Sequence, residues 1–527
     1  MSISLNNFIN ESELSLIRGF FYSLYKRVPD PFYLRNDILL AFGEYKKNSG
    51  KTKNNLSCDR FLQRIQELLI IDKRIVFVYR PRLASSKIYS LSNSLSEIQE
   101  VSVLNYLRMK ERIIKPELPF NHRTMQLNFS PFFEKGTHIK DPDQIGKGIT
   151  HLNRYLSSYL FQNPDKWKEA IYEFLSNYNF QKTSLLVNSQ IVQNQYDLEK
   201  NLEYAVDFLE RKDCCDQPEQ PDPAQELKGV NHKLNSLGFL AGWGDNLFRI
   251  LESMRLLKQV LEQPDENIIE EFMSRIPMIS CIAVISPHGW FGQSKVMGRP
   301  DTGGQVVYIL DQVKALEKYI INDLKCSGIE VEPKIIIITR LIPENEGTTS
   351  NIRKERVLNT QNSWIIRVPF KDNSGNIVPG WISRFHVWPY LDQFAVDSMH
   401  EVCSELSGKP DLIIGNYSDG NLVATLMANA LGSIQCNIAH ALEKTKYLFS
   451  DLYWEGFEEK YRFSLQFMAD LISMNQASII ISSTAHEIKG TDSTIGQYES
   501  YRFFSLPGLM QVTNGINLFH HKFNIIP

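Results

Sequence analysis

The sequence predicts an α/β protein: a doubly wound domain over residues 277–527, preceded by a small α+β module at 1–125 and a mainly helical domain at 149–276. Three observations predict it. Short β-branched, apolar runs recur at 278–286, 334–339, 364–370, 411–415 and 478–483. Most are apolar at nearly every position, as parallel strands buried on both faces must be. Helical patterns separate several of these runs, including 306–320 and Leu391–Leu406, and such a strand–helix rhythm builds a doubly wound sheet. Upstream of Pro277 the pattern becomes amphipathic helix, and further upstream short helices with a strand pair.

In the first module, Leu14, Ile17, Phe20, Phe21 and Leu24 fall at helical spacing and form one apolar face. Residues 75–79 and 87–91 are β-prone and flank a turn containing Pro and Ser, which reads as a hairpin. Helices followed by a hairpin also suit a winged-helix reader of DNA. No basic recognition helix stands out, so a packing or docking module fits better. In the helical domain, 151–161 carries Leu152, Tyr155, Leu156 and Tyr159 on one face. Asp245 is a suitable N-cap for a helix bearing Leu247, Ile250, Met254, Leu257 and Leu261. Near-heptad spacing suits that stripe to packing within the chain or against a partner subunit. Residues 213–224 hold three prolines and several acids and read as an exposed loop.

Hydrophobic residues make up 43% and charged residues 22% of the 527, the balance of a soluble globular protein. A formal net charge of -3 gives no basic field for nucleic acid or an anionic membrane. Seven cysteines, an odd number scattered along the chain, fit reduced thiols rather than a disulfide scaffold. The N-terminus lacks a basic stretch followed by an apolar one, and no apolar run approaches the ~18–20 residues that span a bilayer. A cytoplasmic protein is expected.

The chemistry-bearing residues begin where the first strand of the doubly wound domain ends. SPHGWFG at 286–292 is followed by PDTGGQ at 300–305 and then by a helix apolar at 306, 309, 310, 313 and 316. Paired glycines entering a helix let a ligand approach free N–H groups and the positive end of the helix dipole, where a diphosphate would be stabilised. Taken alone, Gly303 and Gly304 equally suit a plain strand–helix turn. No Gly-Lys-Ser/Thr follows, and Gly-x-Gly-x-x-Gly is not matched. Alone, too, His440 reads as a core histidine and Arg384 as an ion-pair residue. His486, His520 and His521 do not have the spacing of a zinc site, and no metal is expected.

Taken together, PHGWF at 287–291, PDTGGQVVYILDQVKALE at 300–317, WISRFHVWPY at 381–390, GNYSDGN at 415–421, IAHALEKTKY at 438–447 and GQYES at 496–500 resemble the sucrose synthases. These are retaining glycosyltransferases of the two-Rossmann, GT-B type. The resemblance continues through GWGD at 242–245 and more loosely to about residue 110. It implies the first Rossmann-like domain of a GT-B fold and reversible glucosyl transfer between sucrose plus UDP and fructose plus UDP-glucose. The nucleotide is then a substrate, and no cofactor is implied. By resemblance His440 faces the donor sugar, where a neutral imidazole suits developing positive charge better than a cation. Gly303, Gly304 and Gln305 bind the donor diphosphate; His288, Arg384 and Lys446 lie on the fructose side. The leaving phosphate takes the acceptor's proton, so no enzyme nucleophile is needed.

Two positions depart from the family pattern. His386 stands where plant-type members usually carry a glutamate, and Leu448-Phe449 follow Tyr447 where the pattern has proline first. VTNGINLF at 512–519 and KFNIIP at 522–527 match the segment leading into the second Rossmann domain, which the sequence given does not reach. The 527 residues alone are therefore expected to cleave no sucrose, because a GT-B site lies between two domains. A binding or oligomerising protein derived from the family, or a sucrose-phosphate-synthase-type transferase, are the alternatives. By resemblance the chain forms a homo-oligomer, with the 245–262 stripe as a candidate surface for a tetramer.

Overall fold

The computed structural model describes residues 2–26, 31–50, 56–71, 74–82, 85–91, 97–114, 162–181, 183–213, 223–372, 374–442, 458–489, 496–498 and 509–511. The expected helix at 151–161, most of the 213–224 loop and the 512–527 segment lie outside them.

The first module is a six-stranded antiparallel sheet of β1 (Ser2–Ser4), β2 (Phe32–Leu34), β3 (Ile65–Ile71), β4 (Arg74–Arg82), β5 (Ser85–Leu91) and β6 (Glu97–Glu100), in the order β1-β6-β5-β4-β3-β2. The expected hairpin is its centre, with Ile75 opposite Leu91 and Phe77 opposite Tyr89. Flanked by β3 and β6, it does not project as the wing of a winged-helix protein would. Phe77, Tyr79 and Tyr89 share a core with Ile17, Phe20 and Phe21 of the Leu14–Lys26 helix, the apolar face that the spacing predicted.

Among the described residues of the helical domain are the helices Pro164–Asn177, Gln195–Asp213, Pro223–Ser236, Leu247–Glu262 and Glu266–Ser274, with a small hairpin of β7 (Asn179–Phe180) and β8 (Thr183–Ser184). The cap of the Leu247–Glu262 helix is Asn246, not Asp245. Asn246 has the extended backbone a cap needs, and its Oδ1 accepts from the Arg249 N–H at 2.9 Å. Asp245 instead accepts from the Asn246 side chain. The stripe of Ile250, Met254, Leu257 and Leu261 is buried with Leu202, Val206 and Leu209 of the Gln195–Asp213 helix. Packing inside the chain covers it, so it is not the subunit surface that its spacing also allowed.

The doubly wound domain holds β9 (Cys281–Ser286), β10 (Lys334–Leu341), β11 (Lys354–Arg356), β12 (Ser363–Pro369), β13 (Leu412–Asn416), β14 (Ile434–Ile438), β15 (Ile479–Ser482) and β16 (Leu509–Gln511). Their order is β11-β12-β10-β9-β13-β14-β15-β16, and every neighbouring pair except β11–β12 is parallel. From β9 the chain winds outward to β12, then returns to add β13 on the other side of β9. That reversal opens a crevice at the carboxyl ends of β9 and β13, where ligands bind in open α/β sheets.

Alternate residues serve opposite faces. Val284, Ile337, Ile365 and Ile414 pack with the Gly304–Cys326 helix and the upstream helices in one continuous core. Ile285, Ile338, Ile366 and Ile413 pack with the Leu391–Leu406 and Tyr417–Leu431 helices in another. Both faces being covered explains the unbroken apolar runs. The Gly304–Cys326 helix outlasts the expected 306–320 at both ends, and its buried Glu317 anchors it to the sheet. That carboxylate accepts from the Gln361 and Asn362 N–H groups at 2.7 Å and from Ser363 Oγ at 2.9 Å.

No helix among the described residues is long and apolar enough to cross a membrane. Ile337 is fully buried between β9 and β12 neighbours. Ile337→Ala is expected to cost about 2–5 kcal/mol in denaturant unfolding, through lost transfer energy and the cavity left. A cost below about 1 kcal/mol would show that this face of the sheet is not the core described.

Candidate active site

β9 and β13, the strands on either side of the reversal, carry the two halves of the site. β9 runs into Pro287, His288 and Gly289. Gly289 has φ 78°, and a Cβ there would collide with the Asp301 carbonyl oxygen, so glycine lets this loop lie against the turn before the helix. Trp290 N–H donates to Thr302 Oγ1 at 2.9 Å across the same contact. The helix then begins at Gly304 with Gly303 as its cap. Among the described residues no side chain satisfies its first N–H groups, unlike the helices capped by Asn246 and Asp265. A Cβ at Gly303 or Gly304 would meet nothing within 4 Å. Among the described residues the turn thus leaves the Gly304 and Gln305 N–H groups, at the positive end of a 23-residue helix, without a side-chain partner, the arrangement that holds phosphate groups.

From the other side, β13 ends in Asn416 and passes into the Tyr417–Leu431 helix. His288, buried, lies with Nδ1 2.8 Å from each Asp419 oxygen and Nε2 3.0 Å from Gln305 Oε1. Gln305 in turn donates to Ser286 Oγ at 2.6 Å. Asn416 donates its amide to the Ile285 carbonyl, which aims its Oδ1 at His440 Nε2, 2.8 Å away. That oxygen accepts, so Nε2 carries the hydrogen in neutral His440. Tyr417 stacks on the His440 ring at 4.7 Å and meets His288 edge-on at 5.1 Å; Tyr308 meets His440 edge-on at 5.1 Å. Tyr417 and His440 both have left-handed backbones, φ 60° and 56°. Each costs on the order of 1–3 kcal/mol and persists where surrounding packing enforces it, as at functional sites.

His288, Gln305 and His440, singled out in the sequence, therefore converge beside Gly303 and Gly304. Arg384 is tied to them through its backbone: its N–H donates to Asp301 Oδ2 at 2.8 Å, and its charge reaches His288. Its guanidinium lies 4.8 Å from the Phe385 ring. His386 is exposed. Lys446 lies outside the described residues, as do His520 and His521. Sequence reasoning singled out neither Asp419, Asn416, Tyr417 nor Asp301. The available signal was polar residues directly after an apolar strand, at 416 and 419, the carboxyl-end position where α/β sheets bind ligands.

The two histidines sit in opposed electrostatic settings. Burial pushes the His440 pKa down to about 4, helped by the nearby His288 charge and opposed by Glu487. Burial also pushes His288 down, but the Asp419 charge and hydrogen bond outweigh it and leave the pKa above the ordinary 6.5; Arg384 opposes and Asp301 adds to the rise. For His440 the unfolded chain takes up a proton near 6.5 that the folded ring refuses until about 4. Stability from its neutral form is thus present in full above 6.5 and lost as pH falls toward 4. The His288 contribution has the opposite sign, complete below 6.5 and lost as pH rises through the raised pKa. Histidine-resolved NMR titration should show His440 protonating near pH 4 and His288 above 6.5; overlapping midpoints would contradict this electrostatic picture.

A family model described as the sucrose synthase first GT-B domain matches residues 267–527, and one described as the sucrose synthase EPBD domain matches 147–245. A sucrose synthase of Thermosynechococcus vestitus is 45% identical over 94% of this chain and 61% of its own length. One of Melioribacter roseus is 46% identical over 93% of this chain and 59% of its own. Sucrose synthase 3 of Arabidopsis thaliana is 43% identical over 95% and 60%. The chain thus spans about three-fifths of the length of these curated relatives. With two sucrose synthase family models matching along it and 45% identity to a sucrose synthase across 94% of its residues, the chain belongs to the sucrose synthase family of glycosyltransferases.

Proposed function

We propose that this chain supplies the donor-diphosphate turn and one sugar-facing wall for reversible glucosyl transfer, sucrose plus UDP giving fructose plus UDP-glucose. One juxtaposition supports it most: an uncapped glycine helix start beside a neutral histidine at the strand-order reversal. In the forward direction the bond from the glucosyl anomeric carbon to the fructosyl oxygen breaks, and a bond to a diphosphate oxygen forms. The proton carried by the diphosphate passes to the fructosyl oxygen. Positive charge develops on the glucosyl ring between these events. His440 faces that ring uncharged, so it offers a hydrogen-bonding nitrogen without repelling the charge.

Gly303, Gly304 and Gln305 hold the diphosphate, and the helix dipole stabilises its negative charge. His288, Arg384 and Lys446 bind the fructosyl unit. No cofactor takes part. The homo-oligomer and the cytoplasmic setting expected of the family belong to this proposal. Any subunit surface must lie elsewhere than on the buried 245–262 stripe.

The test is UDP-dependent sucrose cleavage by this chain extended with the remaining portion of the Thermosynechococcus vestitus relative. The extended chain should form UDP-glucose, and His440→Ala should lower the rate by about 10²–10³, the usual cost of one charge-stabilising group. Gly304→Leu should lose nucleotide binding while its melting temperature holds, because a Cβ there meets nothing within 4 Å among the described residues and the side chain would grow toward the proposed diphosphate position. Transfer indifferent to both substitutions, or a preference for fructose 6-phosphate over fructose, would sink the proposal.

A further inference from the structure

We infer that Asp419 is a positioning residue of this site: its carboxylate locks His288 in one orientation, with Nδ1–H directed into the fold and Nε2 turned to Gln305 at the helix start. The inference rests on the proposed function only for what the ring acts upon. The locking itself follows from geometry. Asp419 stands in the first turn of the Tyr417–Leu431 helix, and both its oxygens lie 2.8 Å from His288 Nδ1. Both side chains are buried, with 4% of each residue exposed, so water cannot substitute for either partner. An ionised carboxylate only accepts, which forces the hydrogen onto Nδ1. Flipping the ring would bring a carbon to the carboxylate and leave a buried charge unpaired, at a cost that excludes it.

The lock extends past the pair. Gln305 Oε1 can only accept, so its 3.0 Å contact with His288 is a hydrogen bond donated by Nε2–H of the protonated ring, the form that Asp419 favours, and Gln305 donates in turn to Ser286 Oγ at 2.6 Å. Asp419, His288, Gln305 and Ser286 therefore join the start of one helix, the end of β9 and the first turn of another helix through side chains alone. Tyr417, edge-on to His288 and stacked on His440, carries the same constraint to the sugar-facing ring. Among the described residues, the charged and titratable groups around His288 are Asp419 from the first turn after β13, Asp301 from the turn before the Gly304–Cys326 helix, Arg384 from the 384–386 turn, Tyr417 edge-on, and His440 across Tyr417. Of these, Asp419 is the group bonded to the ring. On the proposed function, it acts on the fructosyl side through His288 without touching the sugar.

Asp419→Asn keeps the shape and removes the compulsion, because an amide can either accept from Nδ1–H or donate to a bare Nδ1. The 527-residue chain labelled with ¹⁵N-histidine should show a strongly hydrogen-bonded Nδ1–H resonance, assigned by its loss in His288→Gln. Asp419→Asn should abolish that resonance and populate the Nε2–H tautomer. In the extended chain, Asp419→Asn should lower kcat by ~10² with the KM for sucrose within about threefold, the pattern of a misoriented group whose contact counts more in the transition state than in the ground state. The alkaline limb of its pH profile should move to lower pH. A wild-type His288 without Nδ1–H overturns the inference, and this holds even if Asp419→Asn does not fold. So does an Asp419→Asn protein whose ring resonances and kcat are unchanged. The expected spectra without any sucrose cleavage by the extended chain would uphold the lock and defeat the proposed function instead.

Discussion

The strand-order reversal between β9 and β13 is the constraint on which the site depends. A parallel sheet covered on both faces must send its helices to alternate sides, and at one point the winding changes direction. There the loops after neighbouring strands diverge, leaving the carboxyl ends of β9 and β13 uncovered. His288 follows the first, and Asn416, Tyr417 and Asp419 follow the second. The His288–Asp419 pair and the Asn416 amide bonded to the Ile285 carbonyl cross this seam. The Gly303–Gly304 turn is set beside it because Glu317 binds the middle of its helix to the start of β12.

Two identical side chains, both buried and a short distance apart, end with opposite pKa shifts because their partners differ. His440 has an amide oxygen for a partner, which offers a dipole and no charge, so desolvation leaves the ring neutral. His288 has a carboxylate, and the same desolvation is outweighed by a full opposite charge. Tyr417 separates the rings and touches both. Its left-handed backbone, and that of His440, cost stability that the rest of the fold must recover.

Much of the fold was legible because its signals are local. Unbroken apolar runs marked buried parallel strands, and helical spacing marked the faces of Leu14–Lys26 and Leu247–Glu262. The Asn246 cap was missed because Asp245 and Asn246 are both capping types, and only backbone conformation distinguishes them. The stripe behind that cap could not declare whether it met a partner or its own chain; Leu202 and Val206 answer that through the tertiary fold. At the site, the glycine turn was read from chemistry, whereas His440 and His288 stood out by resemblance alone. Asp419 was invisible as a partner of His288 because 131 residues separate them. Only the sheet order makes them neighbours.

The chain spans about three-fifths of its curated relatives, and the account locates one wall of a cleft within it. Its central claim is that the Gly303–Gly304 helix start and His440 form a single ligand-binding surface. Hydrogen exchange on the extended chain, with and without UDP-glucose, tests this most directly. Unsatisfied donors at the helix start exchange freely and slow when a ligand occupies them. Slowed exchange is expected at 303–305 and at 439–441 together, over the same nucleotide concentrations. Protection confined to other segments, or protection of one stretch without the other, would contradict it.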